Sequence, residues 1–118
     1  VNGQVNDLFY YYREQAALKA RQYQRALDDI VKAIELSPKD LTYRAEHAVV
    51  NLRVGRYEES MKILNEILKD EPKYGEAYRL LGLCQIQLKK TDEACGNFNK
   101  AKELGDPNVD ELIKKYCK

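Results

Sequence analysis

The chain has 118 residues, 44% of them hydrophobic and 33% charged, and its 20 Lys plus Arg against 19 Asp plus Glu leave a formal net charge of +1. This balance argues against a nucleic-acid binder, which concentrates cationic excess on one face, and against a disordered tail, which carries large net charge and few apolar residues. The longest apolar runs, Leu8 to Tyr12 and Leu80 to Cys84, fall far short of the ~20 residues that cross a bilayer, so no membrane insertion is expected.

The opening stretch from Val1 to Asp7 has no basic segment, apolar segment or cleavage site of a signal peptide. Residues 1–6 are expected to be a disordered or appended lead, and the chain reads as the C-terminal part of a larger protein. Cytoplasmic and bacterial periplasmic locations therefore both stay open. From there on, Gly (6) and Pro (3) are scarce and good helix formers dominate. Apolar residues at helical spacing predict helices over 7–20, 24–36, 41–54, 57–70, 75–88 and 92–104. Short polar turns such as Ala20-Arg21-Gln22 and Val54-Gly55-Arg56 join them in pairs. Pro38 and Pro72 punctuate the joints between pairs, because proline lacks the donor that a continuing helix needs. At the last joint, Gly105 is expected as a left-handed C-cap, Asp106 as an N-cap and Pro107 as the first residue of a seventh helix running to about Cys117. Leu112, Ile113 and Tyr116 would cover the preceding hairpin.

Self-similarity organises these elements. Pro38 and Pro72 are 34 residues apart, and the same offset relates Tyr23 to Tyr57, Ala26 to Ser60 to Ala94, Ile30 to Leu64 to Phe98, and Ala33 to Ile67 to Ala101. Three hairpin units follow, at 7–40, 41–74 and 75–108, with a capping helix over 107–118. The cap hides the face that a further unit would have covered.

The chemistry-bearing residues are few. Cys84, Cys95 and Cys117 are an odd number without paired zinc spacing, and His47 is the single histidine, so no metal or other cofactor is expected. Cys84 and Cys95 are expected as small apolar fillers on facing helices; a Cys95–Cys117 disulfide in an oxidising compartment is the alternative. His47 is expected to be a packed, hydrogen-bonded side chain. No phosphate loop or acid-base pair on a shared face is present, since Asp28-Asp29 and Glu58-Glu59 are adjacent and point different ways on helices. No enzymatic role is expected.

In the third unit, Tyr78-x-x-Leu81-Gly82-x-x-Gln85 followed by Ala94-x-x-x-Phe98 and Ala101 resembles a tetratricopeptide repeat. Small Gly82 and Ala94 suit a close helix contact, with Tyr78, Leu81 and Phe98 around it. The second unit departs from the pattern at Arg44, His47, Ala48, Asn51 and Ser60, and the first at Arg13 and Glu14. A charged Glu14 at a close contact is expected to loosen the first hairpin or shift its register unless it reaches solvent or a partner.

The resemblance implies an all-α, right-handed superhelix of antiparallel hairpins, about seven helices in all. It also implies a concave groove that binds a peptide or helix of a partner protein, as an adaptor or scaffold. Projecting the free face of each first helix gives Tyr11, Tyr12, Gln15 and Lys19, then Ala45, Glu46, Val49 and Arg53, then Glu76, Arg79, Leu83 and Gln87. One subclass of the family grips chaperone C-terminal carboxylates with a clamp of Lys, Asn and Arg. The corresponding positions here hold Tyr11, Gln15, Glu46, Glu76 and Leu80, so no acidic chaperone tail is expected as a ligand. An alternative is self-association through the aromatic run Phe9-Tyr10-Tyr11-Tyr12, giving a monomer or a weak dimer.

Overall fold

A computed structural model describes residues 6–118. The expected lead over 1–5 lies outside the described residues, and Asn6 belongs to the fold: its side chain accepts a hydrogen bond from the Phe9 N–H at 3.1 Å and caps the first helix. Seven helices follow, α1 (Asp7–Lys19), α2 (Tyr23–Leu36), α3 (Leu41–Arg53), α4 (Tyr57–Asp70), α5 (Gly75–Gln87), α6 (Thr91–Glu103) and α7 (Asp110–Tyr116). No strand occurs among the described residues.

Each helix packs on the next, and α3 also meets α5. This sequential packing draws the molecule out to 54 × 27 × 22 Å, as expected for a solenoid in which each unit touches only its neighbours. Within each hairpin the turn passes through one residue with positive φ: Arg21 (60°), Gly55 (88°) and Lys89 (63°). These positions are 34 residues apart. The backbone shape of the turn is thus repeated even where glycine, the residue that adopts it without strain, is replaced by a side chain.

The core repeats as well. Ala26, Ser60 and Ala94 are fully buried, as are Ile30, Leu64 and Phe98, and Ala33, Ile67 and Ala101. The polar departures of the second unit are satisfied locally. Ser60 Oγ donates to the Ala48 carbonyl at 2.7 Å, Asn51 Nδ2 donates to the His47 carbonyl at 3.0 Å, and Arg44 pairs with Asp70 at 2.9 Å. Burial holds the half-exposed His47 imidazole below its ordinary pKa.

Three expectations need correction. The first hairpin keeps its register: Glu14 is completely buried beside Ala17 and Leu18, and a bidentate Arg13–Asp29 pair at 2.8 and 2.9 Å ties α1 to α2. The seventh helix begins at Asp110, not Pro107. Gly105 has the expected left-handed φ of 86°, but Asp106 accepts from the Asn108 N–H at 2.7 Å and from Arg79 Nε at 3.1 Å. This turn lowers Val109 into the core, where it is fully buried between Ala94, Phe98 and Ala101, before α7 starts. Finally, Cys95 is not a filler: it forms a disulfide with Cys117, fastening the end of α7 to α6. Cys84 is a buried free thiol, as expected. Leu112, Ile113 and Tyr116 do cover the third hairpin.

Candidate functional site

The face built from the first helices of the hairpins carries a depression of about 310 Å³ lined by Gln15, Leu18, Lys19, Glu46, Val49 and Arg53. A second, of about 340 Å³, is lined by Leu52, Arg53, Tyr57, Leu83 and Gln87. Arg53 borders both, so the two form one stepped surface across all three repeats. Helical spacing brings these residues together: Gln15 and Lys19 are one turn apart on α1, Glu46, Val49 and Arg53 succeed one another on α3, and Leu83 and Gln87 share a turn of α5. Seven of the projected residues, Gln15, Lys19, Glu46, Val49, Arg53, Leu83 and Gln87, lie on this surface.

The other projected residues are placed differently. Tyr11 is half-buried, with its ring centroid 5.1 Å from that of Tyr43, and burial and the nearby Glu46 carboxylate raise its pKa. Tyr12 is 61% exposed beside Tyr11, at the edge of the surface. Ala45 is 1% exposed and packs inside the core. Arg79 is engaged within the protein: its guanidinium is bound by Asp106 at 3.1 Å and by Glu76 at 3.9 Å. Glu76 also accepts from the Tyr74 hydroxyl at 3.3 Å; burial first, then this carboxylate, pushes the Tyr74 pKa up to about 12.

Leu18, Leu52 and Tyr57 line the surface without having been projected onto it. Tyr57 comes from a second helix, α4, and reaches over to donate to Gln87 Oε1 at 3.5 Å. Its recurrence 34 residues after Tyr23 is the sequence signal at this position. Beneath Glu46 lies Glu14, fully buried. Burial, then a hydrogen bond to the Glu46 carboxylate beside it, pushes its pKa up to about 9, so at neutral pH it is a carboxylic acid that donates to Glu46.

The profile of the tetratricopeptide repeat matches residues 17–81 and 51–96. The chain belongs to the tetratricopeptide repeat family. Among curated relatives, the small glutamine-rich tetratricopeptide repeat-containing protein 2 of Mycosarcoma maydis is 30% identical over 99 residues, 84% of this chain and 28% of the relative. The heat shock protein STI1 of Saccharomyces cerevisiae is 32% identical over 101 residues, 82% of this chain and 17% of the relative. The chain thus spans less than a third of the length of either. Among solved structures, the first repeat domain of Spaghetti (RPAP3), bound to the HSP90 peptide SRMEEVD, superposes with a TM-score of 0.79 at 19% identity, covering 94% of this chain and 90% of that one. The fold is therefore the all-α solenoid of tetratricopeptide repeats, and protein interaction is the general role of such a module.

Of the five positions expected to correspond to the family's carboxylate clamp, Gln15 and Glu46 line the first depression. Tyr11 is packed against Tyr43, Glu76 is engaged by Tyr74 and Arg79, and Leu80 is 4% exposed. The cations of the surface, Lys19 and Arg53, stand a turn or more further along α1 and α3. No cluster of three His, Cys, Asp or Glu suited to a metal ion occurs among the described residues, and none of the described helices is long and apolar enough to cross a membrane.

Proposed function

We propose that this chain is a non-catalytic adaptor module that binds a peptide segment of a partner protein along the face of α1, α3 and α5. The observation that carries the reading is the continuity of the two depressions through Arg53, which joins Gln15, Lys19, Glu46 and Val49 to Leu83 and Gln87. Partly exposed Val49 and Leu83 supply apolar contact, and the flanking charges supply orientation and selectivity. The test is affinity capture with the protein, comparing the native sequence with a variant carrying Lys19→Glu and Arg53→Glu. Both side chains are exposed, so the variant keeps its fold. Loss of specific prey supports the reading, and an unchanged prey set removes the groove as the binding face.

The same reading disfavours purely acidic chaperone tails as ligands, because Glu46 stands at a clamp position without a salt bridge among the described residues and repels a carboxylate. The acetylated peptide MEEVD, the acidic end of the SRMEEVD peptide that the RPAP3 domain binds, is expected to show no saturable binding in fluorescence polarisation. Micromolar affinity would overturn this.

Self-association is a second reading, favoured by the exposure of Leu8 (45%), Phe9 (46%) and Tyr12 (61%) on α1. Light scattering at high concentration decides it: a strictly monomeric mass sinks the idea.

A further inference from the structure

Glu14 is a fully buried carboxyl group whose side chain meets that of Glu46. The titratable groups facing Glu14 are Glu46 from α3, Asp29 from α2 and Tyr11 from its own helix. Asp29 is already committed to Arg13. Glu46 is half-buried, lines the first depression and takes part in no salt bridge among the described residues. The site therefore has two adjacent carboxyl groups, and no cation among the described residues forms a salt bridge with either. Glu14 keeps its proton and can donate it to Glu46.

The rest of the depression has the opposite polarity. Leu18 and Val49 form an apolar middle, and Lys19 and Arg53 form a cationic end. Seven helical residues separate Glu46 from Arg53, which is about 10 Å along α3.

Resting on the groove reading above, we propose that this depression selects a partner segment with a Lys or Arg side chain seated on Glu46 above Glu14, an apolar residue over Leu18 and Val49, and an Asp or Glu reaching Lys19 and Arg53. In an extended segment the two charges stand about three residues apart, at ~3.3 Å per residue. The incoming cation donates to the Glu46 carboxylate, and Glu14, fully buried, keeps its proton beneath the pair.

The probe is ω-aminooctanoate, an amine and a carboxylate joined by an apolar chain, compared with octanoate and octylamine. Binding is followed by the amide shifts of Glu46, Val49 and Arg53 in NMR titrations from pH 6 to 8. The zwitterion is expected to bind several-fold more tightly than either single-charge analogue. Its affinity is expected to be level between pH 6 and 8, because Glu14 stays protonated throughout. Glu46→Gln, at a half-buried position, is expected to remove the preference for the amine, and Glu14→Gln, which leaves Glu46 in place, is expected to keep it. Octanoate binding as well as the zwitterion, Glu46→Gln keeping the amine preference, or no shift at saturating probe would each overturn the proposal. If groove variants still lose their prey while the probe fails, only the cation site falls; if prey capture is also unaffected, the groove reading falls with it.

Discussion

Glu14 stands where the third repeat has Gly82 and the second has Ala48, and the side chain opposite decides which residue fits. A Cβ on Gly82 would lie 2.4 Å from the Phe98 ring, so only glycine is accommodated there. The partners of Ala48 and Glu14 at the Phe98 position are Leu64 and Ile30, which occupy less of that space. Gly82→Ala is expected to cost about 1–3 kcal/mol through overpacking, and the added change Phe98→Leu is expected to recover part of it, as read by denaturant unfolding. Glu14 fits by volume but not by polarity. Its folded pKa of about 9 lies above its ordinary value of 4.5, so between those two pH values the folded chain holds a proton that the unfolded chain does not. The Glu14 contribution is fully present below about pH 4.5, weakens as pH rises and is gone above about 9, at up to ~1.4 kcal/mol per pH unit. Asp7 acts with the opposite sign. Hydrogen bonds from Tyr43 at 2.8 Å and Ser37 at 2.9 Å hold its pKa below 3.8, so its contribution is lost as pH falls through that folded value. Thermal stability is therefore expected to decline from mildly acidic pH towards pH 9. Glu14→Gln, which can still donate to Glu46, should flatten this decline and stabilise the protein by about 1–3 kcal/mol at pH 8. A flat wild-type profile would contradict the burial argument.

At the scale of the elements, the hairpin turns offer a controlled comparison. Arg21, Gly55 and Lys89 share one left-handed backbone shape, and no neighbour lies within 4 Å of a Cβ built on Gly55. Gly55→Ala therefore isolates the conformational penalty and should cost about 1 kcal/mol. Lys89→Gly should return a net ~0.5 kcal/mol, since removing the strain is partly offset by the greater freedom of glycine in the unfolded chain. Chemical denaturation of the two variants, with Arg21→Gly as a third, measures both directions. The element lengths themselves were legible in the sequence: the 34-residue offset and apolar spacing placed α1 to α6 within a residue of their observed ends. The start of α7 was not, although Asp106-Pro107 is a strong local helix-start signal. Asp106 is drawn instead to Arg79 on α5 and to the Asn108 N–H, and Val109 is drawn into the core. A long-range ion pair and one buried side chain override the local preference.

Across the whole molecule, the packing is a chain of neighbour contacts, so the last unit depends on its cap. The Cys95–Cys117 disulfide closes a loop with a sequence separation of 22, which constrains the unfolded chain by about 3 kcal/mol in the loop-entropy account. Reduction is expected to lower the melting temperature and to raise amide exchange first in α7 and at Val109, whose neighbours Phe98 and Ala101 lose their cover. Unchanged exchange in α7 after complete reduction would show that Leu112, Ile113 and Tyr116 hold it unaided.

By itself the sequence determined the period, the hairpins, the small-to-large pairing of the core and the face on which seven groove residues meet. Each follows from spacing along a helix of known geometry, which is local information. Only the tertiary structure decided which charges on that face are free. Arg79 and Glu76 satisfy each other and their neighbours, whereas Glu46 lines the depression above the buried, protonated Glu14. It also decided that Cys95 meets Cys117 rather than filling a core. Both outcomes depend on distances between residues far apart in the chain, and periodicity carries no record of those.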